Sequence, residues 1–390
     1  METEDAVLST TFLIKDKKMS KDRLLFIDNL RILLIVLVIL VHLAITYGAP
    51  VGDWYYQEVR AGMIESIIYV FFIAVSQSFF MGFFFLISGY FTPGSFDRKG
   101  ARHFFKDRLL RLGIPLLFYI IFIDPLIVYV LALSEGFTGS FLEFLGSYMG
   151  NYRGLATGPL WFVEALLIFA VIYAICRLLV KNTDREGKIP GNTAIAIFAF
   201  ILGIVTFIVR IWFPIGWYFE LLHLQISFFP QYIALFIIGP IACRGNWFVQ
   251  ISEKTGKLWS WIAVALLILF PVLLLLYISG DPALLAGGLS WQSFTYALWE
   301  QFIGVAIIVA LTVTFREKYN NQGRLLKAMS KSAYTVYIFH APVIVFLALI
   351  LRGVIMDPLL KFVFVAPLAV NLCFLIGNHI RKLPIARNIL

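Results

Sequence analysis

The residues best suited to chemistry are an arginine and a histidine in the first long apolar run of the chain. Arg31 and His42 are separated by ten residues, all of them Ile, Leu or Val. If this run is an α-helix, eleven positions correspond to about three turns, so both side chains lie on one stripe, about 16 Å apart along the axis. A polar titratable side chain within a membrane helix is costly and usually faces the protein interior or a wet cavity. The pair is therefore the first candidate for catalysis.

The composition indicates an integral membrane protein. The 390 residues are 61% hydrophobic and 14% charged, and the mean hydropathy is +0.88. Soluble domains carry about 25% charged residues. The net charge of +9 does not predict a nucleic-acid partner, because the basic residues cluster between apolar runs. The three cysteines show no metal-ligand spacing, so we expect neither a metal site nor a disulfide framework.

Ten apolar runs have the length that a bilayer crossing requires, about 20 helical residues. The predicted spans are 24–47, 65–91, 113–134, 159–180, 193–213, 227–243, 258–279, 292–315, 332–351 and 359–380. The chain is thus predicted to be an all-α polytopic membrane protein with about ten transmembrane helices. We expect a polar N-terminal segment (1–22), a ten-helix membrane domain (23–381) and a short tail (382–390).

The basic residues predict the orientation of these spans. Most Lys and Arg residues fall in alternate loops, including the loop 92–112. The opposite side carries only Arg60, Arg153, Arg210, Arg352 and Lys361. Because cytoplasmic loops are enriched in Lys and Arg, we expect both termini in the cytoplasm and the protein in the plasma membrane.

Once the direction of each span is assigned, the position of a residue in the sequence predicts its depth in the membrane. Arg31 is expected in the inner half of the membrane and His42 in the outer half, with Glu164 close to the depth of His42. His340 and Glu300 are expected near the middle. Each residue also has a structural interpretation. An intramembrane histidine can be an interhelical hydrogen-bond partner, a carboxylate can pair with a cation, and a histidine before a proline can satisfy a freed carbonyl.

Five stretches resemble acyltransferase family three, a family of polytopic membrane O-acyltransferases whose usual core has ten spans. They are R-L-L-F-I-D-N-L-R (23–31) with His42 eleven residues later, F-F-F-L-I-S-G-Y-F (83–91), F-F-K-D-R-L-L-R-L-G-I-P (104–115), G-P-L-W-F-V-E-A-L-L (158–167) and S-A-Y-T-V-Y-I-F-H-A-P (332–342). Each stretch alone is weakly specific, but their order and their spread along the chain make the resemblance more specific.

The resemblance implies an enzyme that moves an acyl group, usually acetyl, from a cytoplasmic coenzyme A thioester. The implied acceptor is a hydroxyl of a glycan or lipid-linked sugar at the outer side. Arg31 and His42 match the pair that the family requires for activity. Arg108 and Arg111 match its basic inner loop.

The side chains suit this chemistry. An imidazole, with an ordinary pKa near 6.5, can take the hydroxyl proton of the acceptor at neutral pH, which makes His42 the candidate base. His42 could instead be transiently acylated. Glu164, if adjacent, would fix the tautomer of His42. Asp28 lies three residues before Arg31 and is expected to orient it.

The expected co-substrate is acyl-CoA, with no permanently bound cofactor or metal. Its phosphates would bind a cytoplasmic mouth lined by Arg102, Lys106, Arg108 and Arg111, with Ser88 at the depth of Arg31. Arg31 could bind the pyrophosphate or the thioester oxygen. We expect Trp161, His340 and Glu300 to contact the acceptor. The expected partners are acyl-CoA, the acceptor and membrane lipid.

Two other functional classes share these features. A proton-coupled secondary transporter or flippase also carries intramembrane Arg, His and Glu residues. It would accumulate substrate without releasing free thiol. A non-catalytic receptor or scaffold would tolerate substitution of Arg31 and His42 together.

Overall fold

The structure is a computed structural model that describes residues 23–151, 157–180, 187–278, 283–387 and 389. Within these ranges every regular element is a helix. The α-helices are α1 (Leu25–Thr46), α2 (Met63–Arg108), α3 (Ile114–Phe118), α4 (Asp124–Ser134), α5 (Phe141–Asn151), α6 (Trp161–Leu179), α7 (Asn192–Trp212), α8 (Phe229–Arg244), α9 (Trp247–Gln250), α10 (Glu253–Ile278), α11 (Ala283–Ala286), α12 (Trp291–Lys318), α13 (Arg324–Leu351), α14 (Pro358–Ile380) and α15 (Pro384–Arg387). The predicted N-terminal segment 1–22 lies outside the described residues.

Short π-helical and 3-10 turns connect several of these α-helices. Two π-helical turns, Leu109–Gly113 and Tyr119–Ile123, flank α3, so the chain is helical without a break from the end of α2 to the end of α4. Two 3-10 turns, Gly158–Leu160 and Ile226–Phe228, precede α6 and α8. π-helical turns widen the helix by one residue and are frequent at functional sites.

Among the described residues, nine helical segments are long and apolar enough to cross a bilayer. One of them, Met63–Ser134, has 72 residues and contains two predicted spans. A straight helix of this length, at 1.5 Å per residue, would be about 108 Å long, whereas the hydrocarbon core of a bilayer is about 30 Å thick. The segment is therefore too long for one straight crossing. Gly100 interrupts it with a φ of 69°. The other eight segments each coincide with one predicted span, so the all-α polytopic prediction of about ten crossings is confirmed.

The basic loop 92–112 is helical over most of its length, because α2 continues through it. The helix runs to Arg108 and changes direction at Gly100, whose backbone is left-handed. A side chain at this φ would be strained, so glycine is the residue that allows the bend. The basic residues that follow Gly100 are therefore held on helical turns rather than on an irregular loop.

Hydrogen bonds show which loops share an end of the bundle. At one end, the Asn29 side-chain amide donates to the carbonyls of Tyr319 (2.7 Å) and Asn321 (2.9 Å). The Tyr334 hydroxyl donates to the Arg111 carbonyl at 2.5 Å. This end, called the basic end below, thus joins the start of α1 with the loop between α12 and α13 and with the segment after α2, which are all predicted to be cytoplasmic.

The loops of the opposite group meet at the other end of the bundle. Lys361 donates to Glu58 and to the Leu351 carbonyl, and Arg352 donates to the Ser134 carbonyl at 3.3 Å. The Ile215 amide donates to the Ala286 carbonyl at 2.7 Å. This arrangement agrees with the alternation of loops that the charge pattern predicts. The assignment of this end to the outer side rests on the positive-inside rule.

Helix α1 lies in the centre of the bundle. It packs against α2, α12, α13 and α14, and two thirds of its most apolar stretch is buried (67%). Its sequence is apolar on all sides, which is the pattern of a helix surrounded by protein or lipid. Because α1 is central, His42 lies among other helices, whereas the Arg31 side chain, near one end of α1, is 38% exposed.

A buried ion pair links α7 to α12. Arg210 Nη2 donates a hydrogen bond to Glu300 Oε2 at 2.6 Å, and the two side chains are 0% and 1% exposed. The Gln301 amide also donates to Glu300 (3.0 Å), and the Gln231 amide donates to Gln301 (2.9 Å). The Arg210 guanidinium lies 5.2 Å from the centre of the Phe228 ring. The pair and its amide partners thus form a polar network across three helices.

This network contains two residues of the sequence analysis. Glu300 was expected to contact the acceptor. Its Oε2 is bonded to Arg210 and Gln301, its Oε1 has no hydrogen-bond partner among the described residues, and Glu300 does not line the large cavity described below, so the contact stays a prediction. Arg210 was placed among the outer loop charges, yet it is inside the protein. A buried carboxylate without a partner is strongly unfavourable. The structural role of Arg210 on α7 and that of Glu300 on α12 can therefore be recognised only when the two helices are considered together.

We expect Glu300→Gln to destabilise the fold by about 3–5 kcal/mol, because it leaves the Arg210 charge buried without a counter-charge. The free energy of unfolding can be measured by titrating the purified protein from mild detergent into dodecyl sulfate. Glu220→Gln, at an exposed position, is the matched control and should change it little. An unchanged stability in Glu300→Gln would contradict the structural role of this ion pair.

Candidate active site

The packing of α1 against α13 brings two histidines together. His42 Nδ1 and His340 Nε2 are 3.0 Å apart, and the two rings are stacked with their centres 5.0 Å apart. His340 is fully buried, whereas His42 is partly exposed to the internal cavity. His340, predicted to contact the acceptor, is therefore the hydrogen-bond partner of the candidate base.

The hydrogen-bond pattern determines the tautomers of both rings. His340 Nδ1 lies 2.6 Å from the Tyr337 carbonyl oxygen. A carbonyl only accepts, so this nitrogen carries the hydrogen and Nε2 of the neutral ring accepts. His42 Nδ1–H is then the donor to His340, and His42 Nε2 keeps its lone pair. The pair thus presents an oriented imidazole with a free basic nitrogen.

His340 does not act through the carbonyl that Pro342 frees in α13. A proline removes the hydrogen bond to the carbonyl four residues earlier, which here belongs to Ile338. His340 bonds the carbonyl of Tyr337 instead. The structural interpretation of His340 as a kink residue is therefore not what the geometry shows.

Two further contacts fix the position of the pair. The Trp54 side chain, in the loop after α1, stacks on His42 with ring centres 3.9 Å apart and an angle of 13° between the planes. The Tyr337 hydroxyl donates to the Pro159 carbonyl at the start of α6. The first contact covers one face of His42, and the second ties the turn that carries His340 to a neighbouring helix.

A cavity of about 1080 Å³ reaches His42. Its walls include residues of α1, α2, α4, α5, α6, α8 and α10 to α13, and of the loops at the end opposite the basic end. Many of its residues are aromatic, among them Trp54, Tyr55, Tyr148, Trp161, Tyr218 and Tyr232. Trp161, predicted to bind substrate, stacks on Tyr232 with ring centres 5.5 Å apart. Aromatic walls with a few polar groups are typical of ligand sites.

A carboxylate on α4 anchors one wall of this cavity. Asp124 accepts hydrogen bonds from the hydroxyls of Tyr55 and Tyr148, both at 2.5 Å. Tyr55 also lies 3.0 Å from the Tyr119 hydroxyl. Gly158 has a φ of 46°, and a side chain there would collide with the Tyr55 hydroxyl. These contacts hold the loop that carries Trp54 and Tyr55 against α4 and the start of α6.

A second polar group lies where the cavity meets the loops. Asp53 Oδ2 is 3.6 Å from His223 Nε2, and the His223 ring stacks on Tyr218 at 4.5 Å. The neighbouring His223 imidazole lowers the pKa of Asp53, which therefore stays ionised at neutral pH. Burial raises the pKa of Tyr218 to about 12, so its hydroxyl keeps its hydrogen. This region offers both donors and acceptors to a polar ligand.

Arg31 is well separated from His42. Helix α1 is unbroken between them, so they lie about 16 Å apart along its axis. Arg31 Nη1 is 3.4 Å from Asp28 Oδ1, as predicted, but Asp28 also binds Arg23 at 2.5 Å. The guanidinium lies 5.1 Å from the centre of the Phe91 ring and is not among the groups that line the cavity.

The predicted coenzyme A site is at the basic end. Arg102 and Lys106 are exposed, and Asp107 pairs with Arg111 (3.1 Å) and Lys99 (2.8 Å). Arg108 lies over the Phe104 ring, and its Nε has no acceptor among the described residues. Several cationic groups therefore remain available to an anion.

Ser88 lies in α2 beside a close helix–helix contact. A side chain at Gly89 would collide with the Phe236 carbonyl, so α2 and α8 approach closely at this point. Ser88 is half-buried, and its carbonyl accepts from the Thr92 hydroxyl at 2.7 Å. The S-G-Y sequence thus has a packing function at Gly89, and the binding of coenzyme A by Ser88 stays a prediction.

Glu164 is not brought to His42. It lies in the first turn of α6 and is 5% exposed, and neither of its oxygens has a hydrogen-bond partner in the described part of the chain. The position that was predicted for Glu164, next to His42, is occupied by His340. Depth alone suggested the pairing, and depth does not specify which side of α1 a residue faces.

Sequence reasoning missed Trp54, Tyr55, Asp124 and Tyr337. Asp124 was detectable, because an acidic residue inside a predicted span is a signal for function. Tyr337 lies in the stretch that contains His340 and was not singled out. Trp54 and Tyr55 lie between spans, where aromatic residues are common at membrane interfaces, so the sequence carries no separate signal for them.

Comparison with known proteins identifies the relatives of this chain. A profile of an acyltransferase domain, that of acyltransferase family three, matches residues 24–378. Glucans biosynthesis protein C of Escherichia coli O81 (strain ED1a) is 24% identical over 339 residues, which cover 82% of each chain. The protein of the same name from Escherichia coli K12 gives the same identity and coverage. No solved structure matches the chain.

Proposed function

This chain belongs to acyltransferase family three and is an integral-membrane acyltransferase, and from this premise we propose the donor, the acceptor and the side on which each binds. The donor is an acyl-CoA, with acetyl as the acyl group, that binds from the cytoplasm. The acceptor is a hydroxyl of a glycan or lipid-linked sugar at the outer side of the plasma membrane. The similarity to proteins named for glucan biosynthesis supports a saccharide acceptor.

The observation that carries this proposal is the position of His42. His42 lines a cavity walled by aromatic rings, while Arg31 and the cationic turns lie at the opposite end of the bundle. Saccharides bind to aromatic faces and to carboxylates such as Asp124 and Asp53, whereas phosphates bind to arginines. The two ends of the protein thus suit the two substrates of a transfer across the membrane.

In the proposed reaction, His42 Nε2 takes the proton of the acceptor hydroxyl as the oxygen attacks the thioester carbonyl. His42 Nδ1–H remains bonded to His340, which keeps the ring oriented as it becomes charged. The tetrahedral intermediate then expels the coenzyme A thiolate, and the proton moves from His42 to the sulfur. If His42 is acylated instead, the labelled acyl group will be found on its ring.

The separation of Arg31 from His42 favours one of its two predicted roles. At about 16 Å from the base along α1, Arg31 is too far away to contact the thioester oxygen during transfer. It is well placed to hold a phosphate of coenzyme A together with Arg108, whose Nε lacks an acceptor in the described structure. The long pantetheine arm would then extend along α1 towards His42.

We expect His42→Ala to lower acyl transfer by about 10²–10⁴-fold, the contribution of a general base, while the protein stays folded. The assay is thiol release and label transfer from acetyl-CoA by purified protein, with surface glycans of expressing cells analysed by mass spectrometry to identify the acceptor. His379→Ala is the control, because His379 is exposed and bonds the Leu375 carbonyl of its own helix. Normal turnover by His42→Ala would remove His42 from the mechanism.

His340→Ala should also lower the turnover number, by about tenfold or more, since His42 loses the acceptor that fixes its tautomer. The KM for acetyl-CoA should change little, because His340 lies far from the basic end. Initial rates at varied donor concentration separate the two quantities. A variant in which only the KM changes would contradict the role of His340 in orienting His42.

Arg31→Lys should raise the KM for acetyl-CoA by about tenfold or more, because an ammonium cannot reproduce the planar two-pronged contact of a guanidinium with phosphate. Arg23→Lys is the matched control, since Arg23 shares Asp28 with Arg31 but is more exposed. The measurement is the rate of thiol release as a function of donor concentration. Equal KM values in the two variants would reduce Arg31 to a general positive charge.

A further inference from the structure

The proposed transfer needs a group that stabilises negative charge near His42. When the acceptor oxygen attacks, the electron pair of the carbonyl moves to its oxygen. A donor directed at that oxygen is usually a large contribution to acyl-transfer catalysis. Arg31 is about 16 Å away along α1. The hydroxyls of Tyr55 and Tyr337 already donate to Asp124 and Pro159. The donor must therefore be another group at the cavity.

The structure contains a free donor next to His42. Among the described residues that line the cavity, only Trp54 has a buried side-chain polar atom without a partner, its indole Nε1–H. A buried donor without an acceptor is unfavourable, so this N–H favours a ligand atom that can accept a hydrogen bond from it. The nearly parallel stack on His42, with ring centres 3.9 Å apart, keeps this N–H within one ring width of the base.

The position of Trp54 is fixed from several sides. Its ring meets Tyr55 edge-on at 5.3 Å, and Tyr55 is held in turn by Asp124. The His340 ring is 6.0 Å away and nearly parallel. A donor that is held in place before the reaction needs no reorganisation as charge develops, which is the property of an effective oxyanion site.

On the basis of the proposed function, we propose that Trp54 is a catalytic residue with two roles. Its Nε1–H donates to the oxygen of the tetrahedral intermediate, and its ring face stabilises the positive charge that His42 acquires. An aromatic face attracts a cation within about 6 Å of the ring centre, and the attraction is larger for tryptophan than for tyrosine or phenylalanine.

The proposed acyl transfer forms one carbon–oxygen bond and breaks one carbon–sulfur bond. The acceptor O–H bond breaks, its proton binds His42 Nε2, and a bond forms between the acceptor oxygen and the thioester carbon. The carbonyl electron pair moves to the oxygen that Trp54 holds. As the intermediate collapses, this pair re-forms the carbonyl, the carbon–sulfur bond breaks, and the thiolate takes the proton from His42. The products are the ester and free coenzyme A, and no further reactant is needed.

The decisive test replaces the indole N–H alone. Benzothienylalanine, introduced at position 54 by codon reassignment, keeps the two-ring face but has sulfur in place of the N–H group. We expect the turnover number to fall by about 10- to 100-fold, with KM values for acetyl-CoA and acceptor nearly unchanged. The same replacement at Trp212, which is exposed, is the control and should keep full activity.

A ligand that mimics the intermediate gives an independent readout. In the presence of the acceptor, a trifluoromethyl ketone analogue of acetyl-CoA can add the acceptor oxygen at its carbonyl carbon, with the hydroxyl proton passing to His42, and so form a stable tetrahedral oxyanion. The affinity of this analogue should fall in the position-54 variant by the same factor as the turnover number. The affinity for acetyl-CoA itself should not fall. A merely structural role of Trp54 would lower both affinities together and would overturn the proposal.

Two outcomes distinguish this proposal from the proposed function. If His42→Ala is inactive but the position-54 variant turns over normally, Trp54 is not the oxyanion donor and the acyltransferase mechanism stands without it. If His42→Ala is fully active, the base itself is wrong. Trp54→Phe, which retains a smaller aromatic face, should lose at least as much activity as the benzothienyl variant, and full activity in Trp54→Phe would also overturn the proposal.

Discussion

The hydrogen bond between His42 and His340 is the interaction on which the proposed chemistry depends. It exists because α1, although apolar on all sides, lies in the centre of the bundle and packs against α13. A histidine in a membrane helix needs a partner, and here the partner is a second histidine whose other nitrogen is held by a backbone carbonyl. The chain of contacts leaves one basic nitrogen free at the cavity.

The rest of the molecule separates two chemical environments along α1. At one end the cavity offers aromatic faces, hydroxyls and carboxylates. At the other end helical turns after Gly100 present arginines and lysines, only part of which are neutralised by Asp107. The buried Arg210–Glu300 pair contributes to neither surface. It joins α7 to α12, behind the aromatic wall of the cavity, where it contacts Phe228.

The sequence predicts the helices well because crossing a bilayer requires long apolar runs, and such runs are visible without a structure. It also predicts the contact between Asp28 and Arg31, since both lie on one face of one helix. Pairings between helices are harder. Depth placed Glu164 beside His42, but the direction in which each helix faces depends on packing, and that packing places His340 there instead. Trp54 was not predicted because its position depends on Tyr55, Asp124 and the left-handed Gly158, which are far apart in sequence.

The unbroken helix between Arg31 and His42 keeps the two residues at a fixed distance from each other. Its backbone hydrogen bonds fix the interval between the cation and the base, so neither can move towards the other without local unfolding of α1. A thioester whose charged head is held at Arg31 can reach His42 only if its flexible portion spans that interval. Selection among acyl carriers would then follow from the length of the thiol-bearing arm, before any contact with the acyl group itself.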